Sequence, residues 1–236
     1  MMFFRQYFEP ETCTYTYLLG CGRSRRAVLI DPVLSEVTFY IAELHKLELE
    51  VLFTLETHVH ADHVTGSGWL RENLGSKSLV HRDAGALCAD VLVTDGVRWQ
   101  VGDLEIEVRH TPGHTQGCVS YLVGDRVFTG DALLIGGCGR TDFQQGDPGL
   151  LYDSIHTKLF TLPAETLVYP GHDYKGDTVS SIGQEIAKNP RLGGGRTRED
   201  FIAVMKDLKL DYPRHIDHAV TANQSCGLAN VAAKHG

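Results

Sequence analysis

Glu56-Thr57-His58-Val59-His60-Ala61-Asp62-His63 sets three histidines and an aspartate within six residues, directly after the apolar run Val51-Leu52-Phe53-Thr54-Leu55. A run of this length suits a buried strand. Residues two apart do not share a helix face, so His58 and His60 converge best from a loop that leaves the strand end. A loop held by a rigid strand is a natural platform for a metal. Neutral imidazole suits zinc, iron, copper or nickel, and a carboxylate can ligate or act as a base. The bland alternative is a solvated polar loop with incidental histidines, and the density of the cluster argues against it.

Three further segments strengthen the metal reading. Thr111-Pro112-Gly113-His114-Thr115 follows a predicted strand at 104–110, and Phe128-Thr129-Gly130-Asp131 ends another at 126–129. Tyr169-Pro170-Gly171-His172-Asp173 ends a third, at 166–169. Each strand gives way to a glycine that permits a tight turn and delivers one His or Asp. Four strand ends that supply only nitrogen and oxygen donors describe a metal site.

Outward from these motifs, further strands are expected at 14–19, 27–30, 97–101 and 118–123. Ser35 is placed as the N-cap of a helix reaching Leu47, with Val37, Ile41 and Leu44 at helical spacing. Helices are also expected over 148–162, 178–188 and 199–208. Strands and helices in this order point to two sheets flanked by helices, an α/β layer arrangement. The 236 residues fit a single domain, 1–236, with about 190–236 as a short C-terminal appendage entered through the flexible joint Gly193-Gly194-Gly195.

A hydrophobic content of 42% supplies material for a core, and a net charge of −8 with dispersed Lys and Arg argues against nucleic acid as a partner. Neither a signal peptide nor a membrane span is legible, so the expected location is the cytoplasm. The six cysteines, Cys13, Cys21, Cys88, Cys118, Cys138 and Cys226, show no CxxC pair. They are expected as reduced thiols, with Cys13 and Cys118 in the core. Trp69 and Trp99 are expected in the core as well, His81 and His110 in structural roles, and His45, His156, His215, His218 and His235 at the surface.

The stretch from Thr57 to His63 resembles the HxHxDH signature of the metallo-β-lactamase superfamily, and His114, Asp131 and His172 match its remaining ligand motifs in order. The resemblance covers roughly residues 5 to 190. It implies an αβ/βα four-layer sandwich with two central mixed β-sheets, and a metal at one edge of the sheets. Two subfamilies compete. Glyoxalase II-type hydrolases split a glutathione thioester with two metals; their pattern would put His58, His60 and His114 on one metal. Asp62, His63 and His172 would hold the other, with Asp131 bridging. Persulfide dioxygenases hold one Fe(II) per chain, and the resemblance implies His58, His114 and Asp131 as its ligands, a two-His, one-carboxylate set.

The stretches flanking the ligands favour the dioxygenase. Ala61 stands where the hydrolases usually carry an aromatic. Gly130 to Ile135, Gly137 to Gly146 and His172-Asp173-Tyr174-Lys175-Gly176 also look like the dioxygenase version. The implied reaction oxidises glutathione persulfide with O₂ and water to sulfite and glutathione. In that reading His60, Asp62, His63 and His172 orient the ligands and bound water. Tyr174 either presents its hydroxyl to substrate or is an ordinary buried tyrosine. Arg140 either pairs with a glutathione carboxylate or forms a structural ion pair with Asp142 or Asp147. Cys138 is a candidate at the substrate or a packing residue. A homodimer is expected from the resemblance alone.

Overall fold

The computed structural model describes residues 2–228. The expectation for His235 and the end of the proposed appendage fall outside them. Eighteen strands and α-helices follow in chain order among the described residues: β1 (Met2–Glu9), β2 (Thr14–Cys21), β3 (Arg26–Ile30), α1 (Val37–Leu47), β4 (Glu50–Leu55), α2 (Ser67–Leu74), β5 (Lys77–His81) and β6 (Val91–Val93) form the first half. The second half comprises β7 (Arg98–Val101), β8 (Leu104–His110), β9 (Val119–Val123), β10 (Arg126–Gly130), α3 (Pro148–Ser154), β11 (Leu167–Pro170), β12 (Ser180–Ser181), α4 (Ile182–Lys188), α5 (Arg198–Asp207) and α6 (Ile216–Gln224).

Two six-stranded sheets result, in the orders β1-β2-β3-β4-β5-β6 and β12-β11-β10-β9-β8-β7. Both are mixed. In the first, β3, β4, β5 and β6 run parallel while β1 and β2 return antiparallel. In the second, only β10 and β11 pair in parallel.

The period of two along a strand explains the layers. Tyr17, Leu19, Val28 and Ile30 point between the sheets and meet Val108, Tyr121 and Phe128 of the second sheet. The alternate residues Leu18, Ala27 and Leu29 face outward and pack under Tyr40 and Leu44 of α1 and Leu70 of α2. On the far side Val127 and Val168 pack against Leu151 of α3, Ile182 of α4 and Phe201 of α5. Strands buried on both faces read as unbroken apolar runs, as Val51 to Leu55 does. The arrangement is the expected αβ/βα sandwich.

The structure changes several expectations. Ser35 does not cap α1: a 3₁₀ turn over Leu34–Glu36 leads into the helix, and no side chain bonds its first turn. The helix expected at 148–162 opens under an Asp147 cap, which accepts from Leu150 N at 2.8 Å, but loosens into a π turn over Ile155–Leu159. Trp69 is 38% exposed instead of buried. It neighbours Leu70 on α2, about 100° round the helix from the face that packs on the sheet. Trp99 is half-buried against the inter-sheet core. Cys13 is only half-buried, in a left-handed turn, instead of lying in the core.

The expectation of six reduced thiols fails for one pair. Cys88 and Cys226, 138 residues apart, form a disulfide with Cα atoms 5.8 Å apart. No local spacing could reveal it, because the pairing depends on α6 returning to the loop between β5 and β6. Among the described residues no helix is long and apolar enough to cross a membrane.

Candidate metal centre

The metal-binding motifs gather at the carboxyl ends of β4, β8, β10 and β11. Their side chains are fixed by hydrogen bonds that begin one layer further in. Asp31 ends β3 in a left-handed conformation, φ +50°, and its carboxylate reaches across to the end of β4. It accepts from Thr57 N and from Thr57 Oγ1, both at 2.7 Å. With its proton spent on Asp31, Thr57 Oγ1 accepts from His58 Nδ1 at 3.0 Å. That leaves the lone pair of His58 on Nε2. His114 reaches the same state by another route, because its Nδ1 donates to the Arg140 carbonyl at 2.6 Å. Carbonyl oxygens only accept, so the tautomer follows.

Asp131 completes the group. Its Oδ2 lies 3.7 Å from His114 Nε2, and the donor atoms of His58, His114 and Asp131 all fall within 4.8 Å of one another. Its other oxygen accepts from His172 Nδ1 at 2.7 Å, while His172 Nε2 donates to Asp62 Oδ2 at 2.9 Å. Glycines set the spacing. Gly171 passes so close that a Cβ there would stand 2.8 Å from Asp131 Oδ1.

The electrostatics follow from burial and neighbours. Burial, reinforced by His60, pushes the His58 imidazole well below its usual range, so it stays neutral. Burial opposes charge on His172, but the Asp131 and Asp62 carboxylates outweigh it and hold it well above that range. Burial likewise opposes ionisation of Asp131, and His172 and His114 outweigh it, leaving a carboxylate. The centre therefore presents the neutral imidazole of His58, the imidazole of His114 with its Nδ1 committed to a carbonyl, and one carboxylate, the donor set of a two-His, one-carboxylate iron site.

The other expected residues surround this group. His60 is completely buried, with Nε2 3.1 Å from Asp31 Oδ1 and 3.7 Å from Glu56 Oε2. His63 Nδ1 bonds Asp62 Oδ2 at 2.9 Å, and its Nε2 is buried with no hydrogen-bond partner among the described residues. His60, Asp62 and His63 also draw their donor atoms within 4.8 Å. The two nitrogens of His172, in contrast, are both spent on carboxylates.

A cavity of about 850 Å³ opens over the centre, walled by Phe143, Tyr174, Leu210 and Ile216 among others. Tyr174 is 71% exposed at its mouth and lies parallel to His172 at 6.1 Å, so the buried-tyrosine reading does not hold. Arg140 grips Asp142 with two bonds of 2.7 and 2.8 Å, bonds the Asp211 carbonyl, and lies over Phe143. Of the two expectations for Arg140, the ion pair with Asp142 is the one observed. Cys138 is buried against Met205, with its carbonyl held by Arg191, and burial pushes its thiol up to about 11.

Sequence reasoning missed Asp31, Thr57 and Asn223. Asp31-Pro32 was legible as a strand end, but its reach to the next strand was not. Asn223 carries no local signal at all. His81 and His110 fit their structural reading. They stack at 3.9 Å with 15° between planes, and parallel rings cannot aim in-plane lone pairs at one ion, although Asp83 lies nearby.

Comparison with known proteins agrees with this geometry. A family model described as the metallo-beta-lactamase superfamily matches residues 13–172. A protein of Bos taurus named persulfide dioxygenase ETHE1, mitochondrial, is 52% identical over 227 residues, covering 95% of this chain and 88% of that one. The crystal structure of ETHE1 from Myxococcus xanthus superposes with a TM-score of 0.94 at 54% identity, covering 96% of this chain and all of the other. A hydroxyacylglutathione hydrolase of Rhodospirillum rubrum is 36% identical over 191 residues, 78% of this chain and 70% of its own length. The chain belongs to the metallo-beta-lactamase superfamily.

Proposed function

We propose that the protein is an Fe(II)-dependent persulfide dioxygenase that converts glutathione persulfide, O₂ and water into glutathione and sulfite. The observation that carries this is the pair of imidazoles of His58 and His114, each with its Nδ1 committed to a hydrogen bond, beside the Asp131 carboxylate at the floor of a cavity. The resemblance to proteins named persulfide dioxygenases supports the substrate. Iron held there would supply the electrons and open positions that bring O₂ and the persulfide sulfur together.

The residues of the chain would do the rest. Thr57 and the Arg140 carbonyl hold the two imidazoles in their ligating tautomer. His172 holds Asp131 from behind. Tyr174 offers its hydroxyl to substrate at the mouth, where its ring is exposed. Arg140 and Cys138 shape the adjoining wall. Arg140 can take a glutathione carboxylate only in exchange for Asp142. We extend the proposal to one iron per chain, a homodimer, and a cytoplasmic setting.

The second reading, a two-metal thioester hydrolase, is favoured by the His60, Asp62 and His63 group. It would need a nitrogen of His172 that now bonds a carboxylate. O₂ uptake by Fe(II)-loaded protein on addition of glutathione persulfide, with sulfite assayed afterwards, separates the two. Uptake with matching sulfite is expected. No uptake, together with hydrolysis of a glutathione thioester by zinc-loaded protein, would transfer the site to the hydrolase.

A further inference from the structure

Asn223 lies on α6, 160 residues beyond His63, yet its buried carboxamide is devoted to the loop that carries the metal motif. Oδ1 accepts from Thr65 N at 2.8 Å, and Nδ2 donates to the carbonyls of His60 and His63, both at 2.9 Å. Both of its amide hydrogens and its oxygen are used, and every partner is backbone. One side chain thus ties together positions 60, 63 and 65 of the segment that begins with His58.

The end of α6 is itself fastened. Gly68 N donates to the Cys226 carbonyl at 3.0 Å, and a Cβ at Gly68 would stand only 2.5 Å from that oxygen. Cys226 is joined to Cys88 by the disulfide. Val59 of the metal loop, Val80 of β5 and Ala86 form a small apolar cluster against Val220 of α6. Metal loop, helix and disulfide therefore make one packed unit.

We propose that Asn223 is a positioning residue for the metal loop, and that the Cys88–Cys226 disulfide governs how firmly it is held, so that retention of the metal depends on thiol redox state. The proposal rests on the reading of a metal at His58, His114 and Asp131. Cys88 is half-buried and Cys226 almost fully buried, so a small thiolate would attack Cys88 Sγ. That attack forms a mixed disulfide and releases the Cys226 thiolate. A second thiolate then releases Cys88, so two small thiols become one disulfide and the two cysteines gain the two electrons. Glutathione, a product of the proposed reaction, is a thiol of this class. Cut from Cys88, the segment that follows α6 loses its covalent tie to the loop between β5 and β6, and the grip of Asn223 loosens with it.

The test uses Asn223→Asp, which keeps the acceptor for Thr65 N but turns an oxygen toward the carbonyls of His60 and His63. Release of Fe(II) to an excess of ferrous chelator is measured without oxygen. Amide exchange across residues 58–66 and the thermal midpoint are measured on metal-free protein. Iron release about tenfold faster, with faster exchange in 58–66, is expected. Release at the wild-type rate overturns the positioning role, whatever the thermal midpoint does.

Cys88→Ser, in a half-buried loop, should speed release several-fold without disturbing the helix. Glutathione or a phosphine should do the same to the wild type and nothing further to Cys88→Ser. Wild-type protein whose disulfide is reduced by mass, yet which keeps its iron as before, overturns the redox part. A wild type that takes up no iron refutes the metal reading instead, and the exchange measurement still decides the role of Asn223.

Discussion

The floor and the mouth of the cavity are built on opposite plans. At the floor His58, His114, Asp131 and His172 come from strand ends, are almost wholly buried, and are hydrogen-bonded to a second group that fixes their orientation. At the mouth Tyr174 and Leu210 are 71% and 46% exposed and sit on loops. The difference separates two jobs. Chemistry that needs atoms held to a few tenths of an ångström rests on rigid strands, and recognition of the substrate body rests on surfaces that can vary.

Breaking the floor should have the largest effect. His114→Ala removes one of the three proposed ligand donors, and iron binding and activity should vanish together; full iron occupancy by elemental analysis would refute the ligand assignment. Thr57→Val comes next. It leaves all three ligands in place but strips the bond to His58 Nδ1 and one to Asp31. Metal affinity or activity should fall about 10- to 100-fold, the usual cost of losing such a partner. Values near wild type would mean that packing alone orients His58.

At the mouth the effects should be milder and of another kind. Arg140→Ala should raise KM for glutathione persulfide by roughly tenfold, about 1.4 kcal/mol of lost binding, while kcat changes less. Its carbonyl, which holds His114, survives the substitution. A fall in kcat at constant KM would move Arg140 from the mouth to the floor.

The smallest effect lies away from both regions. Burial, then the neighbouring His110, lowers the His81 imidazole to about 4. Between about pH 6.5 and that value the unfolded chain binds a proton that the folded chain refuses. Stability should therefore fall as pH drops through this window, by less than about 1.4 kcal/mol per pH unit, the limit for one proton. His81→Gln should flatten that slope in acid unfolding curves; an unchanged slope would assign it to other groups.

The floor was legible in the sequence because its ligands are written as motifs. His58, His114, Asp131 and His172 each follow an apolar strand and sit beside turn-forming residues, so local pattern alone placed them at strand ends. The layers were legible for the same reason, through Val51 to Leu55 and the strands 104–110 and 126–129. What escaped depends on tertiary return. Asp31 acts on the strand beside its own, Asn223 acts from the far end of the chain, and Cys88 meets Cys226 across 138 residues. Trp69 misled because composition marks it apolar, whereas the phase of α2 turns it outward. The short strands β5, β6 and β12 were missed because five, three and two residues carry too little periodicity to separate them from loop.

The proposed chemistry requires a single metal on His58, His114 and Asp131, with His172 committed to carboxylates. Titration of metal-free protein with Fe(II) under anaerobic conditions, read as bound iron per chain, tests it most directly. A break at one equivalent is expected, and it should disappear in His114→Ala. A break at two equivalents would contradict it, and would draw Asp62, His63 and His172 from supporting groups into a second metal site.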